Sequence, residues 1–207
     1  MPLGFWTTIT QLGNSTLLQP AALALALWLL ATGQLRLPAA WLLSFGTAVA
    51  LVLASKLAFM GWGLGIAAID FTGLSGHSTV STAVFTMGAW LAVADRSPRA
   101  RQLAVAAGLL VGVLVSISRL ALHAHSVSEV VTGFALGAMA ALLPIAWRSG
   151  APRIRQRWVP VALACTLALV PQMGRPAETH GLVQQMALAV SGRTQVYSRH
   201  MLHADAL

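Results

Sequence analysis

Charge is what this sequence has least of. Only 9% of its 207 residues are Asp, Glu, Lys or Arg, and only five are acidic. A water-soluble domain carries roughly 25% charged residues, so this chain cannot cover a water-facing surface. Its apolar residues, 57% of the total, come in blocks near the length of a bilayer, which indicates a polytopic, all-α membrane helix bundle. A single cysteine, Cys165, excludes an intramolecular disulfide, and its apolar block makes it a packed side chain. A basic leader with a small-residue cleavage site is missing too. The first apolar block holds Gln19 and Pro20, so a removable signal peptide is not expected. The lack of a repeat of fixed period speaks against a transporter built from internal repeats.

What is present falls into six stretches that can span: residues 16–33, 39–60, 78–94, 102–119, 127–147 and 158–173. Each is close to the roughly 20 residues that a helix rising 1.5 Å per residue needs to cross a bilayer. The first and last are the weakest, which leaves a five-span arrangement open. Residues 1–15, with Phe5, Trp6 and Leu12, are short and amphipathic and are expected to lie in the interface. Residues 1–173 read as one membrane-embedded domain. Residues 174–207 read as a tail, interfacial or loosely ordered, with a helical patch from His180 to Val190.

The net charge of +8 could serve nucleic acid, but its distribution argues against that partner. In a six-span arrangement Arg36, Arg96, Arg99, Arg101, Arg148, Arg153, Arg155 and Arg157 fall on one side. Lys56, Arg119, Arg175, Arg193 and Arg199 fall on the other. The arginine-rich side should be cytoplasmic. Trp28, Trp41, Trp90, Trp147 and Trp158 lie near that side's helix ends, as an interfacial belt would. Gly108-x-x-x-Gly112 and Gly133-x-x-x-Gly137 place small residues on one face of the fourth and fifth spans. They are read as packing within one bundle rather than as a dimerisation face, and oligomeric state stays open.

Two polar segments carry the chemistry. Ser75, Gly76 and His77 open the third span, where unpaired N–H groups at a helix start suit an anion. Gly76 lets a phosphate approach the backbone, and Ser75 adds a hydroxyl. Ser118 and Arg119 end the fourth span, His125 begins the fifth, and Glu129 follows four residues later. That spacing puts Glu129 a turn below His125 on one helix face, where it can take the Nδ1 proton and leave Nε2 free to attack. A carboxylate a turn inside an apolar helix needs such a partner. Asp70 reads as a structural or solvated residue. His123, two residues from His125, should face elsewhere, and His180, His200 and His203 should face solvent.

These segments resemble the type 2 phosphatidic acid phosphatase superfamily, related to bacterial acid phosphatases and vanadium haloperoxidases. Its pattern is a lysine segment ending in Arg-Pro, then Pro-Ser-Gly-His, then Ser-Arg, five residues, His, three residues, Asp. Lys56, Leu74-Ser75-Gly76-His77 and Ser118-Arg119…His125…Glu129 stand in those places. Three positions depart: Gly63-Leu64 replaces Arg-Pro, Leu74 replaces proline, and Glu129 replaces aspartate.

The resemblance implies a lipid phosphatase that needs no metal or other cofactor. His125 would attack phosphorus to give a phosphohistidine, with Glu129 orienting it and His77 protonating the leaving oxygen. Lys56, Ser75, Gly76 and Arg119 would hold the phosphate. Substrates would be polyprenyl diphosphates, phosphatidylglycerol phosphate or phosphatidate, met among membrane lipids on the outer face of a bacterial cytoplasmic membrane. Two other readings use the same residues: a lipid phosphotransferase, and a non-catalytic protein that binds a lipid phosphate, which the loss of Arg-Pro favours. A metal site built from His123, His125, Glu129 and His77 is disfavoured, since ligands at i, i+2 on a helix diverge.

Overall fold

Serine and threonine crowd the helix at the centre of the bundle. The structure is a computed structural model that describes residues 3–31, 35–147 and 179–204. Its helices are α1 (Leu3–Gln11), α2 (Ser15–Ala31), α3 (Arg36–Trp62), α4 (Gly76–Ala92), α5 (Pro98–Ala121), α6 (Val127–Trp147), α7 (Thr179–Ser191) and α8 (Arg199–Ala204). Among the described residues the only β feature is an isolated bridge between Ile66 and Phe71. The all-α membrane bundle expected from the sequence is what the chain forms.

Twelve of the seventeen residues of α4 are buried, among them Ser78, Thr79, Ser81, Thr82 and Thr86. Two of these hydroxyls bond to backbone carbonyls: Ser81 donates to His77 O at 2.6 Å, and Thr79 to Ser75 O and Gly133 O at 3.0 Å each. The small-residue pairs explain how α4 is enclosed. A Cβ at Gly108 would fall 2.5 Å from Thr86 Cα, and one at Gly112 would fall 2.4 Å from Thr82 Oγ1. From the other side, a Cβ at Gly133 would meet Ser75 O at 2.7 Å and one at Gly137 would meet Thr79 O at 2.3 Å. Both glycine pairs therefore seat α5 and α6 on α4, within one bundle, by close backbone approach.

The outer helices look different. Leu42, Leu43 and Leu51 of α3, Leu103, Leu110 and Ile117 of α5, and Val131, Met139 and Leu143 of α6 are exposed, as lipid-facing residues are. Helices α3, α5 and α6 are long and apolar enough to cross a membrane, and α2 contains a shorter apolar run, Leu17–Leu30. The first five expected spans coincide with α2 to α6; the sixth, 158–173, lies outside the described residues.

The tryptophan belt needs correction. Trp28, Trp41 and Trp90 are buried in the core. Trp41 donates its indole N–H to Ala22 O at 3.2 Å and stacks on Phe45. Only Trp147 is exposed as a belt residue would be, and Trp158 is outside the described residues. A tryptophan near a helix end is compatible with either environment, and here helix packing decides.

Candidate functional site

The site forms where three helix ends meet a looped connection. Helix α3 stops at Gly63, whose φ of 72° places it in the left-handed region; its N–H returns to Phe59 O at 2.8 Å. Residues 66–71 then fold back on themselves, Ile66 and Phe71 exchanging backbone hydrogen bonds of 2.9 and 3.0 Å. Asp70 takes a positive φ of 51°. Leu74 N–H donates to Ser55 Oγ at 3.0 Å, and Ser75 N–H to Glu129 O at 3.1 Å. These bonds tie the α3–α4 connection to α3 on one side and α6 on the other, so Lys56, Gly76 and Glu129 converge.

Glu129 is fully buried, and every direction around its carboxylate is filled. His125 Nδ1 lies 2.7 Å from Oε2; facing a carboxylate, that nitrogen carries the proton, which leaves Nε2 with a lone pair. Ser126 N–H donates to Oε2 at 3.1 Å, and Thr72 N–H donates to Oε1 at 2.7 Å, joined by the Thr72 hydroxyl. Arg199 Nη2 donates to both oxygens at 2.9 Å.

The His125–Glu129 contact arises differently from the expectation. His125 precedes α6 rather than lying on its face. Ser126 caps the helix: its hydroxyl accepts from Glu129 N–H at 3.4 Å while the Glu129 carboxylate accepts from Ser126 N–H. This reciprocal capping box folds the glutamate back toward the residue ahead of the cap. Ser-Val-Ser-Glu was visible in the sequence as that motif.

In front of His125 lies a cavity of about 760 Å³. Lys56, Gly73, Gly76, His77, Arg119 and His125 line its polar part. Lys56 makes no hydrogen bond or ion pair among the described residues. Arg119 Nη1 donates to Thr10 Oγ1 of α1 at 2.9 Å, while its buried Nε has no partner among the described residues. Burial pushes His125 below the ordinary imidazole range, and the charges of Lys56 and Arg119 add to this; its bond to Glu129 and that carboxylate's charge pull the other way without prevailing. His125 is therefore neutral near pH 7. Gly13, just after α1, packs closely on the site: a Cβ would come 2.7 Å from Val115 Cγ1 and 3.1 Å from the His77 ring. The N-terminal helix thus seats two site residues.

Of the residues singled out in the sequence, Lys56, Gly76, His77, Arg119 and His125 share the cavity, with Glu129 directly behind. Ser75 does not line it. Ser75 is fully buried, and its hydroxyl accepts from Ser78 N–H at 3.4 Å and Ser78 Oγ at 3.0 Å, as a helix cap. His123 has a positive φ of 52°, is exposed, and faces away. Among the described residues no three His, Cys, Asp or Glu side chains are arranged to hold a metal ion.

Of the C-terminal part, expected to be interfacial or loosely ordered, the described residues 179–204 include two helices. Helix α7 lies along α3, with Ala187 fully buried. His180, expected in solvent, reaches the cavity lining, and His203 Nε2 lies 2.9 Å from Asp70 Oδ1. Arg199 was missed because no local pattern marks it; it meets Glu129 across seventy residues of chain.

Residues 67–153 match the PAP2 superfamily, a stretch that holds the Ser-Gly-His and His-x-x-x-Glu segments but not Lys56 or Arg199. An uncharacterized 22.5 kDa protein in the cps region of Klebsiella pneumoniae is 40% identical over 206 residues, 97% of this chain and 99% of that one. No solved structure matches. The chain belongs to the PAP2 superfamily, and with it to the phosphatases that act on phosphate esters.

Proposed function

We propose that this chain hydrolyses a lipid phosphate or diphosphate through a phosphohistidine on His125. The observation that carries the proposal is the cavity itself. Its polar end holds a neutral imidazole and two cationic side chains without an anionic partner. Its remaining wall includes Val49, Val52, Leu53, Leu182 and Val183, which suits a phosphate joined to an apolar chain.

In this mechanism Nε2 of His125 attacks phosphorus in line while the P–O bond to the leaving group breaks. Glu129 stabilises the positive charge that develops on the imidazole. Lys56, Arg119 and the Gly76 amide hold the equatorial oxygens as charge redistributes. The bound phosphate offsets the cations around His77, so this imidazole can carry the proton it gives to the departing oxygen. Water then attacks the phosphohistidine, releases phosphate and restores His125.

Helix length and the placement of basic residues support an outward-facing site. Helix α4 runs from the site to the basic loop with Arg96, next to Arg99 and Arg101 in the first turn of α5, and α5 returns. Seventeen residues at 1.5 Å each put that basic loop roughly 25 Å from the site. Arginine-rich loops stay in the cytoplasm, so the site opens on the outer face of a bacterial cytoplasmic membrane.

Purified protein in detergent should release phosphate from long-chain lipid phosphates or diphosphates, with chelator present, and vanadate should inhibit. Release from water-soluble phosphate esters alone would overturn the lipid assignment. Phosphate appearing on an added lipid instead of in solution would make the protein a phosphotransferase. Binding without turnover would leave a lipid-phosphate binder.

A further inference from the structure

Glu129 presents a problem of charge. It is fully buried, and the imidazole it holds is neutral near pH 7. A buried carboxylate beside a neutral partner is costly unless a cation compensates it. Lys56 and Arg119 make no hydrogen bond to it and face the cavity instead. The cation that meets the carboxylate is Arg199, through both Glu129 oxygens at 2.9 Å, with a further bond from Nη2 to Thr72 Oγ1 at 3.3 Å.

Arg199 is itself held. Its Nη1 donates to Asp70 O at 3.1 Å and to the Asp70 carboxylate, whose other oxygen lies against His203. The segment that delivers it docks on the end of α3. Tyr197 N–H donates to Met60 O at 2.9 Å, and the Tyr197 ring occupies the space beside Gly63, where a Cβ would approach to 2.9 Å. A side chain at position 63 would press on the Tyr197 ring and be strained by the left-handed φ. The arginine that reaches Glu129 comes from residue 199 instead.

We infer that Arg199 is a positioning residue of the site, the fixed counter-cation that keeps the Glu129 carboxylate ionised and aimed at His125, with Asp70 as its anchor. The inference rests on the reading of His125 as nucleophile. Arg199 also borders the cavity, but its Nη atoms are committed to Asp70, Thr72 and Glu129, so it acts through Glu129 rather than on substrate. Among the described residues, the charged or titratable groups that share the cavity with His125 or lie directly behind it are Glu129 from α6, Lys56 from α3, Arg119 from α5, His77 from α4, His180 from α7, Arg199 from α8 and Tyr197 ahead of α8. With Arg199 gone, His125 becomes the remaining cation within hydrogen-bond reach of Glu129, so the imidazole should hold its proton to higher pH.

The test compares Arg199→Ala, Arg199→Lys and Asp70→Asn with the parent in detergent, on the most active lipid phosphate. Arg199→Ala should lower kcat about tenfold to hundredfold with KM within about twofold, as loss of charge-assisted hydrogen bonds to a positioned group predicts. Its acid limb should move up by about one pH unit. Arg199→Lys should recover part of kcat, since it restores charge but not the forked geometry, and Asp70→Asn should fall between. If Arg199→Ala does not fold, the other two, which keep a hydrogen-bonding group at each position, decide on the same readouts. Unchanged kcat and an unmoved acid limb would overturn the inference. An NMR titration of the His125 ring in parent and variants reads the same shift without turnover. Should the parent prove inactive on every lipid, the proposed function falls, while that titration still tests Arg199.

Discussion

The two sides of His125 are built on opposite principles. In front, Lys56 is without a hydrogen bond or ion pair among the described residues and the buried Nε of Arg119 has no partner among them. Behind, the Glu129 carboxylate is met by His125, Thr72, Ser126 and Arg199, and Arg199 in turn by Asp70. Unsatisfied cations are tolerated only where a ligand will complete them; a saturated network holds one geometry. The front should therefore govern binding and transition-state charge together. The back should govern how well His125 is aimed, and so turnover alone.

Removing His125 erases the distinction, and His125→Ala should reduce phosphate release to background and abolish acid-labile labelling of the protein. Breaking the back comes next. Glu129→Gln keeps the size of the side chain but puts an amide N–H₂ where donors from His125, Ser126 or Arg199 now point. We expect kcat to fall by about ten-thousandfold, on the scale of removing the charge behind a catalytic histidine, with KM little changed. A large rise in KM with kcat retained would show that the glutamate belongs to the front.

Breaking the front should look different in kind. Arg119→Ala should lose about tenfold to hundredfold in kcat/KM, one charge-assisted hydrogen bond's worth, with KM raised as well as kcat lowered. A variant that changes kcat only would move Arg119 to the aiming side. The smallest effect should come from Thr10→Val, which removes the hydroxyl that steadies Arg119 from α1. The bond joins an uncharged hydroxyl to the guanidinium and acts only by placing Arg119, so a loss of about fivefold, about 1 kcal/mol, is expected. No change at all would mean that α1 covers the site without supporting it.

The front was largely legible in the sequence and the back only in part. His77, Arg119 and His125 sit in short patterned segments, and the apolar blocks around them forecast α2 to α6 because lipid imposes the spacing. The capping box at Ser126 and Glu129 was equally local, yet it was taken for one face of a continuing helix. Ser75 was credited to the cavity because a hydroxyl at a helix start serves an anion or the helix itself, and composition does not choose. Arg199 had no local sign. Its role depends on the docking of Tyr197 at the end of α3, a tertiary contact that periodicity does not encode.

Helix α4 has one more consequence, and it concerns how the protein is made. Enclosed by glycine faces and rich in buried hydroxyls, α4 is neither long nor apolar enough to count among the candidate membrane spans. During synthesis it emerges before α5 and α6, the two helices that shield it. It should therefore partition poorly into lipid by itself and settle only once its successors arrive, which makes the three helices a single unit of insertion. A glycosylation-mapped insertion assay should find α4 largely translocated when followed by a neutral reporter and integrated when followed by α5 and α6. Full integration of α4 alone would show that its hydroxyls are no obstacle to lipid.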